Sequence, residues 1–505
     1  MTAVAVRHED APVLDPVWRR VFLRCLLLPL TVTAPLLSLV PDADHRYNVY
    51  WHGSIGQQRP WRLITDNLGS VPMYVGFGNF RPLGRMLEWS VDTVAYVLDE
   101  VTHLPVQVGL RLVSALCAAV LCAAAVLLAE AVTAPGRMFA GPPSRPIALV
   151  PFAFAAGLCA AGRLSTTVLF GGLYFLSAAL VLAVAAWVCR NPRWGVLVVL
   201  AGATLAVFNE VAALGPPLAT AAVLARGGPA RLRPALLLWA GFLPVFVPVR
   251  ILLYQTCRDG GCYGNSDLVL GPGVGGALAN RLTAWLPPLQ WGEAMRNAGP
   301  LSKVVFAVAV VALGVLAARV VAELPRLPGL DRRRAVRLVV AGGAVLLLGA
   351  VLGSINPQTQ ELARAGRWGL GWRDSGLTAT GGALLVAGLL ALAAPVVVSR
   401  VALVVLVLLG AGTTTVNQAY AVAGARLPYA ILTGAIATEV AQFDTRPAGN
   451  ARRCALIAQF DAMFRTAPYS RFASGELPGT HSAAQRMAVT ASMATEQMYG
   501  RPFCR

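Results

Sequence analysis

The chain has 505 residues, 56% of them hydrophobic and only 13% charged, with a mean hydropathy of +0.63. A soluble domain carries about 25% charged residues, so this chain is too poor in charge to face water over its whole surface, and lipid must cover part of it. The net charge is +18, yet the 42 basic residues, all arginine except Lys303, are scattered in short stretches between apolar runs. Membrane topology imposes that pattern, and it speaks against nucleic-acid binding, which needs a clustered basic face.

Residues 1–20 read as a cytoplasmic N-terminal segment, followed by a first apolar run at 21–40. No small-residue cleavage site follows that run, so it reads as a retained span rather than a signal peptide. A long excursion at 41–106 comes next. Within it Leu83, Leu87, Val91, Val94 and Leu98 recur at helical spacing, with Arg85, Glu88 and Asp92 on the other side. That pattern predicts a helix lying on the membrane surface or packed on protein. Apolar runs then fall at 107–129, 147–162, 165–188, 195–208, 211–225 and 235–254. The runs at 195–208 and 211–225 are short and flank Asn209 and Glu210, so they predict either two spans with a tight turn or one broken helix. A loop at 255–302 precedes runs at 303–322 and 338–354; a loop at 355–376 precedes runs at 377–399 and 401–419. The tail, 420–505, carries two helical stretches near 451–467 and 482–499 and reads as a small α-rich extracytoplasmic domain. The expectation is an all-α polytopic membrane protein with about eleven transmembrane helices across 21–419.

Basic loops set the orientation. With Arg19, Arg20 and Arg24 inside, the loops bearing Arg137 and Arg145, Arg190 and Arg193, Arg226 to Arg233, Arg326 to Arg337, and Arg400 all fall inside as well. The N-terminus is then cytoplasmic, and loops 41–106, 255–302 and 355–376 and the tail are extracytoplasmic. Arginine over lysine in an Ala-, Gly- and Val-rich chain suits a high-GC bacterial genome and so a bacterial plasma membrane. Five of the nine cysteines lie in or beside spans. The other four, Cys257, Cys262, Cys454 and Cys504, all fall on the outer side, where disulfides form. Local pairing gives Cys257–Cys262 and Cys454–Cys504; free thiols or a metal site are the alternatives, although no histidine lies near enough in sequence to suggest zinc.

No P-loop, dinucleotide fingerprint, zincin motif or nucleophile elbow is present, which argues against ATP-driven transport by this chain alone. Charges are scarce within the spans, whereas ion-coupled transporters usually carry them at mid-membrane depth. They gather instead at the outer membrane level: Asp42, Asp44 and His45 after the first span, Arg81 in the first loop, Arg163 at one outer turn and Glu210 at the next. Carboxylates beside arginines where lipid meets water suit a lipid-linked substrate carrying phosphate. Arginine binds phosphate with a two-pronged hydrogen bond, and a carboxylate can take the proton of an attacking hydroxyl. The bland readings are interfacial solvation for Asp42, Asp44 and His45, a structural pairing of Arg81 with Glu88 or Asp92, and helix capping for Glu210. Trp51, Trp61, Trp89, Trp285 and Trp291 read as an interfacial aromatic belt, with sugar stacking as the sharper alternative.

A carboxylate pair just after the first span, then a long outer loop with a surface helix, resembles the GT-C superfamily of polytopic glycosyltransferases. "NFRPLGR" at 79–85 resembles an "RPL" motif of several GT-C-like branches. "RLSTTVLFGGLYFLSAAL" at 163–180 and "LAVFNEVAAL" at 205–214 are similar to segments of uncharacterised bacterial members. The resemblance covers roughly residues 20–220. It implies transfer of a sugar from a polyprenyl-phosphate donor to a cell-envelope glycan or protein acceptor, outside the membrane and with inversion. It further implies a general base at Asp42 or Asp44, and Arg81 near the phosphate or bracing the loop. It gives no firm role to Glu210. A divalent cation is compatible with the sequence but not required by it, and no metal ligand set is assigned. The alternatives are a transporter or flippase of a lipid-linked molecule and a non-catalytic membrane assembly subunit.

Overall fold

A computed structural model describes residues 15–40, 43–190, 192, 194–227, 231–258, 269–295, 298–393, 395–426, 428–465 and 483–505. Among them there are helices and no strands. In chain order they are α1 Pro16–Thr33, α2 Ala43–Gln58, α3 Arg62–Gly69, α4 Val71–Gly76, α5 Pro82–Thr102, α6 Val106–Thr133, α7 Arg145–Ala156, α8 Gly171–Cys189, α9 Gly195–Ala206, α10 Gly215–Gly227 and α11 Arg233–Cys257. There follow α12 Val274–Thr283, α13 Pro287–Gln290, α14 Gly292–Met295, α15 Pro300–Glu323, α16 Arg332–Ser354, α17 Pro357–Arg364, α18 Ser375–Ala393, α19 Val396–Ala425, α20 Pro428–Ala441, α21 Pro447–Arg465 and α22 Ala483–Tyr499.

Among the described residues, eight helices are long and apolar enough to cross a membrane: α1 with the 3₁₀ turn after it, α6, α8, α11, α15 with its own 3₁₀ turn, α16, α18 and α19. The architecture is all-helical and compatible with a multi-pass membrane protein. Three further expected spans, 147–162, 195–208 and 211–225, hold the shorter helices α7, α9 and α10. The first two continue as irregular backbone at 157–170 and 207–211. Irregular backbone at membrane depth is tolerated where protein buries it, and Cys159, Ser165, Thr166 and Asn209 are all buried. In lipid, packing rather than hydrophobic burial holds helices together, and small residues let backbones approach. At Gly202 of α9 and Gly241 of α11 an added Cβ would overlap the carbonyl oxygens of Leu238 and Val199, on the facing helix in each case.

Contacts sort the helix termini into two ends. At one, Trp18 donates to the Gly141 carbonyl at 2.7 Å, Arg20 and Arg24 pair with Glu323 at 2.6 and 2.9 Å, Arg145 reaches the Leu327 carbonyl, and Arg226 reaches the Ala131 and Ala134 carbonyls. The basic loops thus collect at a single end, as the charge alternation predicts. At the other end, Arg111 donates to the Leu39 and Val168 carbonyls, and Asn417 bonds Val32, Leu158 and Ala160. The α2–α5 excursion and the C-terminal helices lie there.

α5 occupies the range its apolar stripe predicts. Leu87, Val91 and Leu98 pack on the bundle core, while Val94 is 51% exposed and Arg85, Glu88 and Asp92 are all buried. Both the apolar stripe and the charged side therefore meet protein along much of the helix. A satellite core joins α2 and α5 to the C-terminal helices through Val49, Tyr50, Tyr96, Ile436, Phe460, Ala491 and Phe503. Cys454 and Cys504 are disulfide-bonded, closing α21 to the last residues across 50 positions. Cys257 is also disulfide-bonded; Cys262 lies outside the described residues. Of the tryptophans expected in a belt, Trp61 is 62% exposed but Trp89 is buried, and Trp291 bonds Thr413.

Candidate functional site

The site is built where the shortened helices stop. Pro82 opens α5, a position where its missing N–H costs nothing. The next two N–H groups, which lack intrahelical acceptors, donate to the α9 end: Leu83 to the Val207 carbonyl at 3.3 Å and Gly84 to the Phe208 carbonyl at 3.1 Å. A Cβ at Gly84 would overlap that same oxygen, so the "RPLG" string is a docking element and its glycine is required by contact. Asn209 then locks the link between α9 and α10. Its amide donates to Ser177 at 2.6 Å and its oxygen accepts the Ala212 N–H at 2.9 Å.

These contacts bring Arg81 and Glu210 into one cluster with Glu88, Tyr174 and Arg373. Arg373 Nη1 donates to Glu210 Oε1 at 2.8 Å, and the Tyr174 hydroxyl donates to the same oxygen at 3.2 Å. Arg81 Nη2 lies 3.5 Å from Glu88 Oε2, which bears out its expected pairing with Glu88. The Arg373 guanidinium stands 5.4 Å from the Trp372 ring and 5.6 Å from the Tyr174 ring. Arg250 of α11 is within electrostatic range of Glu210. Burial pushes the Glu210 carboxyl up, but Arg373 and Arg81 outweigh it and hold it down at about 2. The carboxylate is therefore charged at any physiological pH and serves as an anchor for cations.

Neighbouring contacts fix the Arg373 backbone. Thr166 donates through its hydroxyl to the Arg373 carbonyl at 3.1 Å, and its N–H bonds Ser375 Oγ at 2.9 Å. Next in sequence, Asp374 accepts both prongs of Arg281, at 2.8 and 2.7 Å, and Arg281 also donates to the Leu370 carbonyl. Both side chains are almost wholly buried.

Donor capacity remains at the cluster. Arg81 Nε is buried with no hydrogen-bond partner among the described residues. Among the described residues, Nη1 is the Arg373 donor engaged there. A small cavity adjoins Arg81, lined also by Asn67, Tyr74, Asn79 and Arg85. Guanidinium groups with spare prongs beside a fixed carboxylate can take an oxyanion such as a phosphate. Among the described residues no group of three or more His, Cys, Asp or Glu is placed to hold a metal ion.

A different pair lies deeper in the α2–α5 layer. His52 Nδ1 and Asp92 Oδ2 are 2.8 Å apart, both buried, with His52 stacked on Trp89 at 4.3 Å. Burial pushes the Asp92 carboxyl up to about 7, against the opposing influence of His52.

Of the residues singled out in the sequence, Arg81 and Glu210 meet. Arg163 lies exposed on the link between α7 and α8. Asp42 falls outside the described residues; Asp44 and His45 belong to the first turn of α2, with side chains outside the description. Arg373, Tyr174, Glu88 and Arg281 were not anticipated as site residues. One signal was available for two of them: Arg281 and Arg373 are arginines in loops that the topology rule expects to be poor in cations. Comparison with family models, with curated proteins and with solved structures returned no match, so the site is read from its own geometry.

Proposed function

We propose that this chain is a GT-C-like membrane glycosyltransferase that moves a sugar from a polyprenyl-phosphate donor to a cell-envelope acceptor on the extracytoplasmic side. One observation carries the reading: Arg373 is bonded to Glu210, Arg81 lies within electrostatic range of the same carboxylate, and the buried Arg81 Nε has no hydrogen-bond partner among the described residues, where the shortened helices end. In this reading those guanidinium groups hold the donor phosphate and stabilise the charge it gains as the sugar–phosphate bond breaks. Asp42 or Asp44 takes the proton of the acceptor hydroxyl, whose oxygen attacks the sugar carbon from the opposite face. The polar inward face of α5, with Val94 turned out, suits a helix resting on lipid.

The same reading takes α7, α9 and α10 as crossings in addition to the eight long helices, giving eleven. The collected basic end is then cytoplasmic with the N-terminus, and α20–α22 form an outer domain of a bacterial plasma-membrane protein.

The test is transfer from a polyprenyl-linked sugar by purified protein. Arg81→Gln and Arg373→Gln should each lose on the order of 100-fold, and Asp42→Asn or Asp44→Asn at least as much. Unchanged transfer in both arginine variants overturns the phosphate role. Unchanged transfer in the Asp42/Asp44 double variant removes the general base.

A further inference from the structure

The last turn of α10 and the first turn of α16 stand side by side at the basic end of the bundle. Between them is an open cleft of about 680 Å³, lined chiefly by Arg226, Arg332, Arg333, Val336 and Arg337. That size is within the range of small-ligand sites, about 300–1,000 Å³.

Four guanidinium groups line the cleft and no carboxylate does. The two nearby acids are otherwise engaged. Asp331 caps α16 through the Arg334 N–H at 2.8 Å and pairs with Arg334 Nε at 3.0 Å. Glu130, within electrostatic range of Arg226 and Arg190, accepts the Phe139 N–H at 3.2 Å. Among the described residues Arg332, Arg333 and Arg337 have no salt-bridge partner. Arg226 Nη1 is tethered to two backbone carbonyls, so it cannot swing away from its neighbours. Cations in the first turn of a helix also oppose its dipole. An oxyanion in the cleft would relieve both penalties, and phosphate matches the planar arginine fork.

The surroundings choose the source of that phosphate. Leu224, Val336 and Val340 flank the cleft 43%, 44% and 45% exposed, an apolar strip that a free anion has no use for and an acyl chain does. Basic pockets between membrane helices on the basic-loop side are suited to anionic headgroups. We propose that the cleft between α10 and α16 binds the headgroup phosphate of an anionic phospholipid, with its acyl chains along Val336 and Val340. The site shares no residue with the Glu210 cluster and is independent of the glycosyltransferase reading.

The experiment uses the full chain, purified in detergent and stripped of lipid. It is exposed to phosphatidylglycerol or phosphatidylcholine, and retained lipid is counted by native mass spectrometry. Wild type should retain phosphatidylglycerol over phosphatidylcholine. Arg332→Gln/Arg333→Gln/Arg337→Gln should lower that retention on the order of tenfold or more, while Arg59→Gln/Arg364→Gln/Arg501→Gln, equal in charge removed but elsewhere, should keep it. If the cleft triple variant fails to fold, the single exposed change Arg333→Gln still has to weaken retention severalfold. Equal retention of the two lipids, unchanged retention in the cleft variants, or equal loss in the control variant overturns the proposal. Binding of inorganic phosphate alone, with full displacement of the lipid by it, overturns the lipid as source.

Discussion

Arg373 and Asp374 are neighbours in the chain, yet they belong to ion pairs of opposite design. Asp374 gives both oxygens to one arginine, Arg281, in a pair with side-chain exposures of 2% and 0%. Arg373 gives one prong to Glu210, at exposures of 20% and 23%, while Arg81 and Tyr174 crowd the same carboxylate. The first pair is closed: each guanidinium nitrogen of Arg281 is bonded to Asp374 or to backbone, and each Asp374 oxygen is bonded to Arg281. The second is open, with cations sharing an anion and donors left over. A buried closed pair acts as a brace, since losing either partner strands a charge in low dielectric. An open cluster can exchange its internal contacts for a ligand. The contrast suggests that Asp374 is there to hold Arg373 still.

The largest expected effect follows from breaking the brace. Arg281→Met leaves the Asp374 carboxylate buried and unpaired and should destabilise the protein by about 3–5 kcal/mol, read as a large fall in thermal midpoint in detergent. Arg281→Met combined with Asp374→Leu replaces the pair by apolar side chains and should recover most of that loss, because stranding the charge, rather than missing the bond, is the main penalty. A double variant no more stable than the single one would show that the pair itself supplies the stability.

These neighbours also mark how far the sequence could be read. The multi-pass helical class followed from charge scarcity and runs of about 20 apolar residues, and the clustering of basic loops followed from arginine placement. Arg81 and Glu210 were visible because each stands at an expected membrane surface. Arg373 and Tyr174 were not. Arg373 lies 163 positions from Glu210, and Tyr174 reads as one more apolar residue in α8. Their meeting depends on α9 ending at Ala206 and on irregular backbone at 157–170, and periodicity carries no information about how such segments fold back. The stripe on α5 left its setting open for a related reason. Hydrophobic spacing gives the faces of a helix but not what each face meets.

The open cluster should show the converse of the brace: large functional and small structural effects. Glu210→Gln keeps the shape, leaves Tyr174 an acceptor and removes one partly exposed ion pair, so its loss of stability should stay below that of Arg281→Met. Thermal midpoints within a few degrees of wild type, beside a severalfold or greater change in affinity for a polyprenyl phosphate, would sharpen the distinction. A destabilisation as large as that of Arg281→Met would erase it, because both pairs would then be braces.

The smallest expected effect is a pair of opposing pH slopes. Glu210, facing Arg81, Arg373, Tyr174 and Arg250, is held at about 2, below the ordinary glutamate value of about 4.3. The unfolded chain therefore binds a proton first as pH falls, so the stability contributed by Glu210 is complete above about 4.3 and is lost as pH falls toward 2. Asp92, facing His52 and Glu88, is pushed up to about 7, above the ordinary aspartate value of about 3.9. Here the folded chain holds a proton that the unfolded chain releases, so stability present below about 3.9 is lost as pH rises through 7. Thermal midpoints measured from pH 3 to 8 separate the two. The advantage of wild type over Glu210→Gln should grow from pH 3 to 5 and then level off. Relative to Asp92→Asn, wild type should lose ground between pH 4 and 7 and then stay flat. An Asp92 slope of the opposite sign would mean that the His52–Asp92 pair is an imidazolium–carboxylate pair, and the closed design would then recur in the α2–α5 layer.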